Sequence, residues 1–241
     1  MSLLELQSLT KEYSRGSRAF NAVNSVTLSV EAGDYINIIG RSGSGKSTLL
    51  NMGAGLLTPT EGTVSFDGRD IYRLSDKEIS FLRNAKIGYV PQGQSLLSNF
   101  TVLENVCIPW FLFPRRGDPY EHALVLLEKT GISHLAASYP KELSGGELRR
   151  AAIVRALINS PSLLIADEPT SDLDTETTAE IMKLFNDIAH NGTAVLVVTH
   201  EIDTLSYGNK TYSMNAGNMT LLPLQIERRS YLLKTESLRE A

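Results

Sequence analysis

Cysteine is nearly absent: the 241-residue chain holds one, Cys107. That excludes a disulfide framework and a thiolate zinc cluster within a single copy, and it fits a reducing compartment. Positive charge is not in excess either. Lys and Arg number 23 against 27 for Asp and Glu, a formal net charge of −4. A protein that uses its whole surface to bind nucleic acid is usually basic, so no nucleic-acid partner is expected. No apolar run reaches about 18 residues, so no segment is expected to span a membrane. The start of the chain lacks the basic-then-apolar pattern of a secretory leader. Internal repeats and low-complexity segments are missing as well. What is present is a hydrophobic content of 42%, enough for one large core or two small lobes.

The stretch around which the chain is organised is Gly40-Arg-Ser-Gly-Ser-Gly-Lys-Ser47, a G-x-x-x-x-G-K-S phosphate-binding loop (P-loop). Tyr35-Ile-Asn-Ile-Ile39 before it is short and β-branched and reads as a strand. Lys46 to Ala54 after it carries Leu49, Leu50 and Met52 and reads as a helix. Strand, loop and helix are the context the motif needs. Gly40, Gly43 and Gly45 let the backbone curl its N–H groups toward phosphate oxygens, and the helix N-terminus adds partial positive charge there. Lys46 is placed to reach the β- and γ-phosphates, and Ser47 to put its hydroxyl on Mg²⁺. A glycine-rich turn that binds nothing is the bland alternative, and the flanking elements argue against it.

In chain order, Leu3 to Leu9 reads as an edge strand and Ala22 to Val30 as a second strand, with the stretch 11–16, including Tyr13, as a loop between them. Thr63 to Gly68 is a short strand ending in Asp-Gly. Ser75-Asp-Lys-Glu78 is a capping box that opens a helix running toward Arg83. Lys86 to Val90 is a strand stopped by Pro91, with Gln92 on its exit. Strand signals then cease. Thr101-Val-Leu-Glu104 is another capping box, and Asp118-Pro119 caps a helix running to Gly131. Strands return at Ser162 to Ala166 and Thr193 to Thr199. The expected fold class is therefore α/β. Residues 1–92 and 161–221 form the core, about 93–160 a helical insertion, and 222–241 a tail.

Two further motifs carry chemistry. The apolar strand before Asp167-Glu168-Pro169 ends in two carboxylates. Asp167 suits an Mg²⁺ partner beside a P-loop nucleotide. Glu168 points elsewhere and suits a base for an attacking water. Leu143-Ser-Gly-Gly-Glu147 precedes a helix with a stripe of Leu148, Ala152 and Ala156, with Ile153 and Leu157 beside it. Ser144 and Glu147 read plainly as a capping box. The same geometry, with Gly145 and Gly146 in the first turn, is also an anion site. A chain that already has a P-loop needs this second site only if a second copy brings its nucleotide there.

Together these parts make residues 3 to 221 resemble the ATP-binding cassette (ABC) ATPase subunit of a transporter. The parts stand in family order: an aromatic (Tyr13), the P-loop, a glutamine loop (Gln92), the signature Leu143 to Glu147, the Asp167-Glu168 strand, a D-loop (Ser171, Asp172, Leu173, Asp174) and His200 after Leu196-Val-Val-Thr199. Two positions depart from the usual pattern, Glu147 where Gln is commoner and Arg41 where Pro or Ser is frequent. A charge at Glu147 near a phosphate is expected to weaken closure slightly. Phe100-Thr-Val-Leu-Glu-Asn-Val106 resembles the subgroup of lipoprotein-release, macrolide-export and cell-division ATPases.

The resemblance implies a P-loop core with an N-terminal antiparallel β subdomain and a helical subdomain. It also implies ATP and Mg²⁺ as ligands, and two copies closing head to tail on two ATP molecules. Gly40, Ser42, Gly43, Ser44, Gly45, Lys46, Ser47 and Thr48 would hold the phosphates, and Tyr13 would stack on adenine. Ser47, Gln92 and Asp167 would serve the metal. Glu168, His200, Gln92 and Lys46 would carry hydrolysis. Leu143, Ser144, Gly145, Gly146 and Glu147 would meet the partner's nucleotide, and Asp174 would cross to the partner's P-loop. A membrane permease would dock near 92–114, placing the chain peripherally on the cytoplasmic membrane face. Within Val106 to Pro114, two prolines predict partly irregular backbone. Cargo of lipoprotein, peptide, antibiotic or haem type is implied, with an ATP-dependent structural clamp or signalling ATPase at the membrane, as in cell-division relatives, as the alternative. A DNA-repair or chromosome-organising ATPase would need long coiled-coil inserts or cysteine-rich modules, which are missing here.

Overall fold

The structure, a computed structural model, describes residues 2–16 and 18–223; beyond Pro223, the tail expected at 222–241 lies outside the described residues. Two sheets carry the fold. One is antiparallel, with spatial order β2 (Arg18–Val30), β1 (Leu4–Arg15), β4 (Glu61–Phe66), β5 (Arg69–Asp70). The other has six strands in the order β10 (Asn218–Leu221), β9 (Lys210–Asn215), β3 (Tyr35–Ile39), β8 (Ala194–Thr199), β7 (Leu163–Asp167), β6 (Ile87–Val90). Within the second sheet all pairings are parallel except β9 with β10. Every residue of β3, β7 and β8 is buried, as a parallel sheet covered on both faces requires.

The cover explains the composition of the helices. On one face, α1 (Lys46–Gly53) lies between the two sheets. Its Leu49, Leu50 and Met52 join Leu4, Leu6 and Leu28 from the antiparallel sheet and Ile36, Ile38 and Ile165 from the parallel one. Each such side chain contributes about 1.5–3 kcal/mol over an exposed one. On the other face lie α5 (Gly145–Leu157) and α6 (Thr175–His190). There Ile153, Ile181, Met182 and Phe185 pack on Leu164, Val195 and Val197.

Between β6 and β7 come α3 (Val102–Phe111), α4 (Pro119–Lys129) and α5, with two 3₁₀ turns and no strand among the described residues. Helix α5 is apolar on two sides. The stripe read from the sequence includes Ala152 and Ile153 against the sheet. A second side, Ala151, Val154 and Ile158, closes a separate core with Val102, Val106 and Cys107 of α3 and Ala123 and Leu127 of α4. Burial pushes the Cys107 thiol up to about 11, so it stays protonated and unreactive at neutral pH. Helix α2 (Asp76–Lys86) abuts α3 through Asn84, whose Nδ2 donates to the Pro109 carbonyl at 2.7 Å.

Three expectations are corrected. β1 is not an edge strand, because β2 and β4 pair with it on either side. The stretch around Tyr13 is not a loop. β1 runs to Arg15 and pairs Tyr13 with Phe20 of β2; cross-strand hydrogen bonding, not apolar alternation, extends the hairpin. Irregular backbone within Val106 to Pro114 is confined to its end, because α3 continues through Pro109 to Phe111. Burial of Val102, Val106 and Cys107 holds that helix against the missing Pro109 donor.

The segment leading from β6 into α3 is fixed by one amide. Asn105, fully buried, accepts from Leu97 N at 2.7 Å and donates to the carbonyls of Leu97, Phe100 and Thr101, each at 3.0 Å. Asn105→Leu keeps the volume and unpairs Leu97 N and the Phe100 carbonyl, while the Leu97 and Thr101 carbonyls keep the backbone N–H groups of Phe100 and Asn105. A loss of about 1–3 kcal/mol is expected in denaturant unfolding; an unchanged midpoint would mean the amide does not hold the segment.

Candidate functional site

Parallel pairing sets the site. The register places Ile39 beside Thr199, Asp167 beside Val198 and Val90 beside Ala166. Four strands therefore end at one level, and the next residues of each chain segment, Gly40, His200, Glu168 and Pro91, emerge along one edge of the sheet. Ligands of open α/β sheets bind at this carboxyl edge.

The P-loop occupies it. Five of the six α-helices among the described residues begin under a side-chain cap, from Ser75, Thr101, Asp118, Ser144 and Asp174. α1 has none, and no acidic residue in its first turn. Its N–H groups face outward uncapped, which is what an anion needs. Gly45, at the cap, has φ 105°, and a Cβ there would run into the Ala22 carbonyl. Only glycine fits. Ser44 is buried with its Oγ unpartnered, while Ser42 and Ser47 are exposed and Thr48 half-buried.

Lys46 is buried and donates to the carbonyls of Gly40 at 2.7 Å and Arg41 at 3.2 Å. Its Nζ also lies 3.5 Å from Glu168 Oε1. The other carboxylate oxygen, Oε2, accepts from the His200 backbone N–H at 3.2 Å and lies 2.8 Å from His200 Nδ1. Lys46, Glu168 and His200 thus form one chain of contacts. Burial, and next to it the Glu168 charge, raises the Asp167 carboxyl above its ordinary range, while Ser47's hydroxyl and Lys46 pull it down. Asp167 Oδ1 is buried without a partner. A divalent cation beside Ser47 would satisfy that orphaned oxygen and relieve the cost of burying the charge, so the residues present fit Mg²⁺.

Not every expected site residue joins this cluster. Gln92 is exposed, and among the described residues its side chain makes no hydrogen bond to the site. Its segment is held from behind: Arg149 Nη1 donates to the Pro91 carbonyl at 3.0 Å, and Arg155 donates to Ser95 O and Oγ at 2.7 Å each. Tyr13 stands partly exposed on β1, with the Phe20 ring 6.1 Å away and Lys11 Nζ over its face.

The signature lies apart from the P-loop, and no hydrogen bond or ion pair among the described residues joins them. Ser144 caps α5. Glu147 folds back, its Oε2 accepting from Ser144 N at 2.7 Å and Oγ at 2.8 Å, and these bonds hold its carboxyl below the usual range. Leu143 is half-buried against the helical core. The D-loop packs directly on this start. A Cβ on Gly146 would meet Thr177 Cγ2 at 2.5 Å and one on Gly145 would meet Leu173 Cδ2 at 3.3 Å. Asp174 caps α6 by accepting from Thr177 N at 2.9 Å and Oγ1 at 2.7 Å. Ser171 Oγ donates to the Glu168 carbonyl at 3.0 Å, while Asp172 is exposed. Among the described residues, no helix is long and apolar enough to cross a membrane.

A family model described as ABC transporter matches residues 23–171. The chain is 37% identical over 215 residues to the macrolide export ATP-binding/permease protein MacB of Chlorobaculum tepidum, covering 89% of this chain and 33% of that protein. It therefore spans about one third of that curated relative's length. Among solved structures it is similar to the dimeric bacterial ABC transporter cassette MJ0796 (TM-score 0.83, 36% identity, 91% of this chain and 99% of that one). A dimeric post-hydrolysis state of the same cassette with ADP and Pi is also similar (TM-score 0.81, 34% identity, 91% and 99%). So is cbiO1 of Clostridium perfringens, part of the transporter complex cbiONQ (TM-score 0.82, 30% identity, 99% and 94%).

Proposed function

The chain belongs to the ABC transporter family as an ATP-binding cassette and ATPase, and from that premise we propose that two copies close on two ATP molecules to drive a membrane permease. The observation that carries the hydrolytic part is the contact chain Lys46–Glu168–His200 beside an uncapped helix start. Lys46 and the first-turn N–H groups of α1 bind the phosphates. Mg²⁺, held by Ser47 and Asp167 with Gln92 joining on closure, would neutralise charge on the phosphate oxygens. Glu168 accepts the proton of the attacking water. His200 holds the Glu168 carboxylate in place. Tyr13 offers its exposed ring to adenine. Ser144 and Gly146, too far from their own P-loop to share a hydrogen bond with it, serve the partner's nucleotide, and Asp174 reaches the partner's P-loop.

A passive ATP-dependent clamp is the second reading. The paired Glu168 and His200 favour turnover over it, since a clamp needs no base. Export is the favoured direction, because the macrolide export relative is similar along most of this chain. The test is phosphate release by the purified chain, alone and with the membrane protein that co-purifies with it in detergent. Mg²⁺-dependent turnover that responds to the membrane protein is expected; ATP binding without turnover in either state would favour the clamp.

We place the permease contact on the surface near 92–114. There Leu97, Phe100, Phe111 and Leu112 are exposed, and the Phe113 ring meets that of the exposed Phe81 of α2 edge-on at 5.5 Å. Exposed aromatics beside buried anchors are the composition of an interface centre. Leu112, 65% exposed, carries the prediction. Leu112→Asp should leave basal ATPase within about twofold while reducing co-purification with the permease and transport by at least about tenfold. Cross-linking from cysteines at 95–114 checks the placement; cross-links only elsewhere would move it.

A further inference from the structure

We propose that Thr170 and Glu201 form a brace that positions the Glu168–His200 pair, which makes both of them positioning residues for hydrolysis. The proposal rests on reading Glu168 and His200 as the hydrolytic pair. Glu168 sits at φ 48°, a conformation that a residue with a side chain keeps only when its surroundings fix it. Its N–H donates to the Val198 carbonyl at 2.9 Å, extending the β7–β8 ladder one step past the strand. His200 lies just beyond β8, with its side chain 59% exposed, and its own packing does not hold it. The ladder bond and the His200 N–H to Glu168 bond join the segments at the pair itself, and a tie beyond the pair is needed to fix the loops that follow it.

One carboxylate does this. Glu201 Oε2 accepts from Thr170 Oγ1 at 2.6 Å, in the short range of hydrogen bonds to a charged acceptor. Thr170 is fully buried, so its hydroxyl needs that acceptor. Glu201 is in turn fixed at its backbone. Its N–H donates to Thr199 Oγ1 at 3.0 Å, and its carbonyl accepts from Thr204 Oγ1 at 2.8 Å. Thr199 and Thr204 are both buried. Thr170 is two residues past Glu168, and Glu201 is one past His200. Any slip between these loops changes the Glu168–His200 contact directly. Catalysis is steep in such displacements.

The experiment is steady-state ATP turnover and equilibrium ATP binding by the full chain, with unfolding midpoints for every variant. Thr170→Val removes the hydroxyl at constant shape, and Thr170→Ser keeps it. Glu201→Leu removes the acceptor, and Glu201→Gln keeps an acceptor oxygen. Thr170→Val and Glu201→Leu should each lower kcat about tenfold with ATP affinity within about twofold. The Ser and Gln variants should recover most of the rate. The double variant should be no slower than either single one, because both remove the same contact. Parent-like kcat in Glu201→Leu and Thr170→Val, equal loss of binding and rate, or multiplied losses in the double variant would each overturn the brace. If Glu168→Gln turned over like the parent, the reading of the pair would fail instead, whatever the brace variants did.

Discussion

Glu168→Gln is expected to bind ATP as tightly as the parent, or more tightly, and to hydrolyse it slower by roughly 10²–10⁴-fold, or about 3–5 kcal/mol of barrier. The substitution preserves shape in a buried place. A glutamine amide oxygen can still accept from the His200 N–H that now reaches Glu168 Oε2 at 3.2 Å. What it loses is the base and the negative charge 3.5 Å from Lys46 Nζ. Without that charge Lys46 is more fully available to the phosphates, hence the retained or improved affinity. ATP should then accumulate unhydrolysed and hold two copies together. Phosphate release, nucleotide binding and sedimentation with ATP measure the three parts. Turnover near the parent rate would remove Glu168 from its role.

The P-loop and the Asp167-Glu168 strand were legible because their signals are local. A fully buried parallel strand has to be apolar throughout, and both motifs sit at the end of such a run. The capping boxes at Ser75, Thr101 and Ser144 were legible for the same reason: each is four residues long. Other parts lacked a local signal. β9 is the immediate neighbour of β3, yet its buried positions include Thr211, so no apolar run marks it. α6 does carry a local signal, with Ile181, Met182, Phe185 and Ala189 on one side behind the Asp174 cap, although Asp174 also belongs to the D-loop. The Thr170–Glu201 contact joins residues 31 apart and becomes visible only when β7 and β8 are laid side by side. Arg149 and Arg155 are likewise ordinary helix residues in sequence. In the fold they hold the carbonyls on either side of Gln92.

Combining Glu168→Gln with Ser144→Arg is expected to abolish the ATP-held dimer completely, and Ser144→Arg alone to abolish turnover. Ser144 is exposed at the start of α5 and shares no hydrogen bond with its own P-loop, so ATP binding by the single copy should stay within about twofold of the parent. The substitution has two consequences that must be separated. It removes the cap on α5, a loss of about 1 kcal/mol in stability, and it puts a long side chain where a second copy's nucleotide would arrive. Ser144→Ala has only the first consequence and serves as the control. It should retain part of the dimer signal and part of the turnover, with the same drop in unfolding midpoint. The packing makes this separation clean. The signature start is wedged against Thr177 and Leu173, so α5 stays seated on α6 when one cap is lost. A monomer of Ser144→Arg that no longer binds ATP would reduce the motif to an ordinary helix cap. A dimer that survives Ser144→Arg would place the contact between copies on some other face.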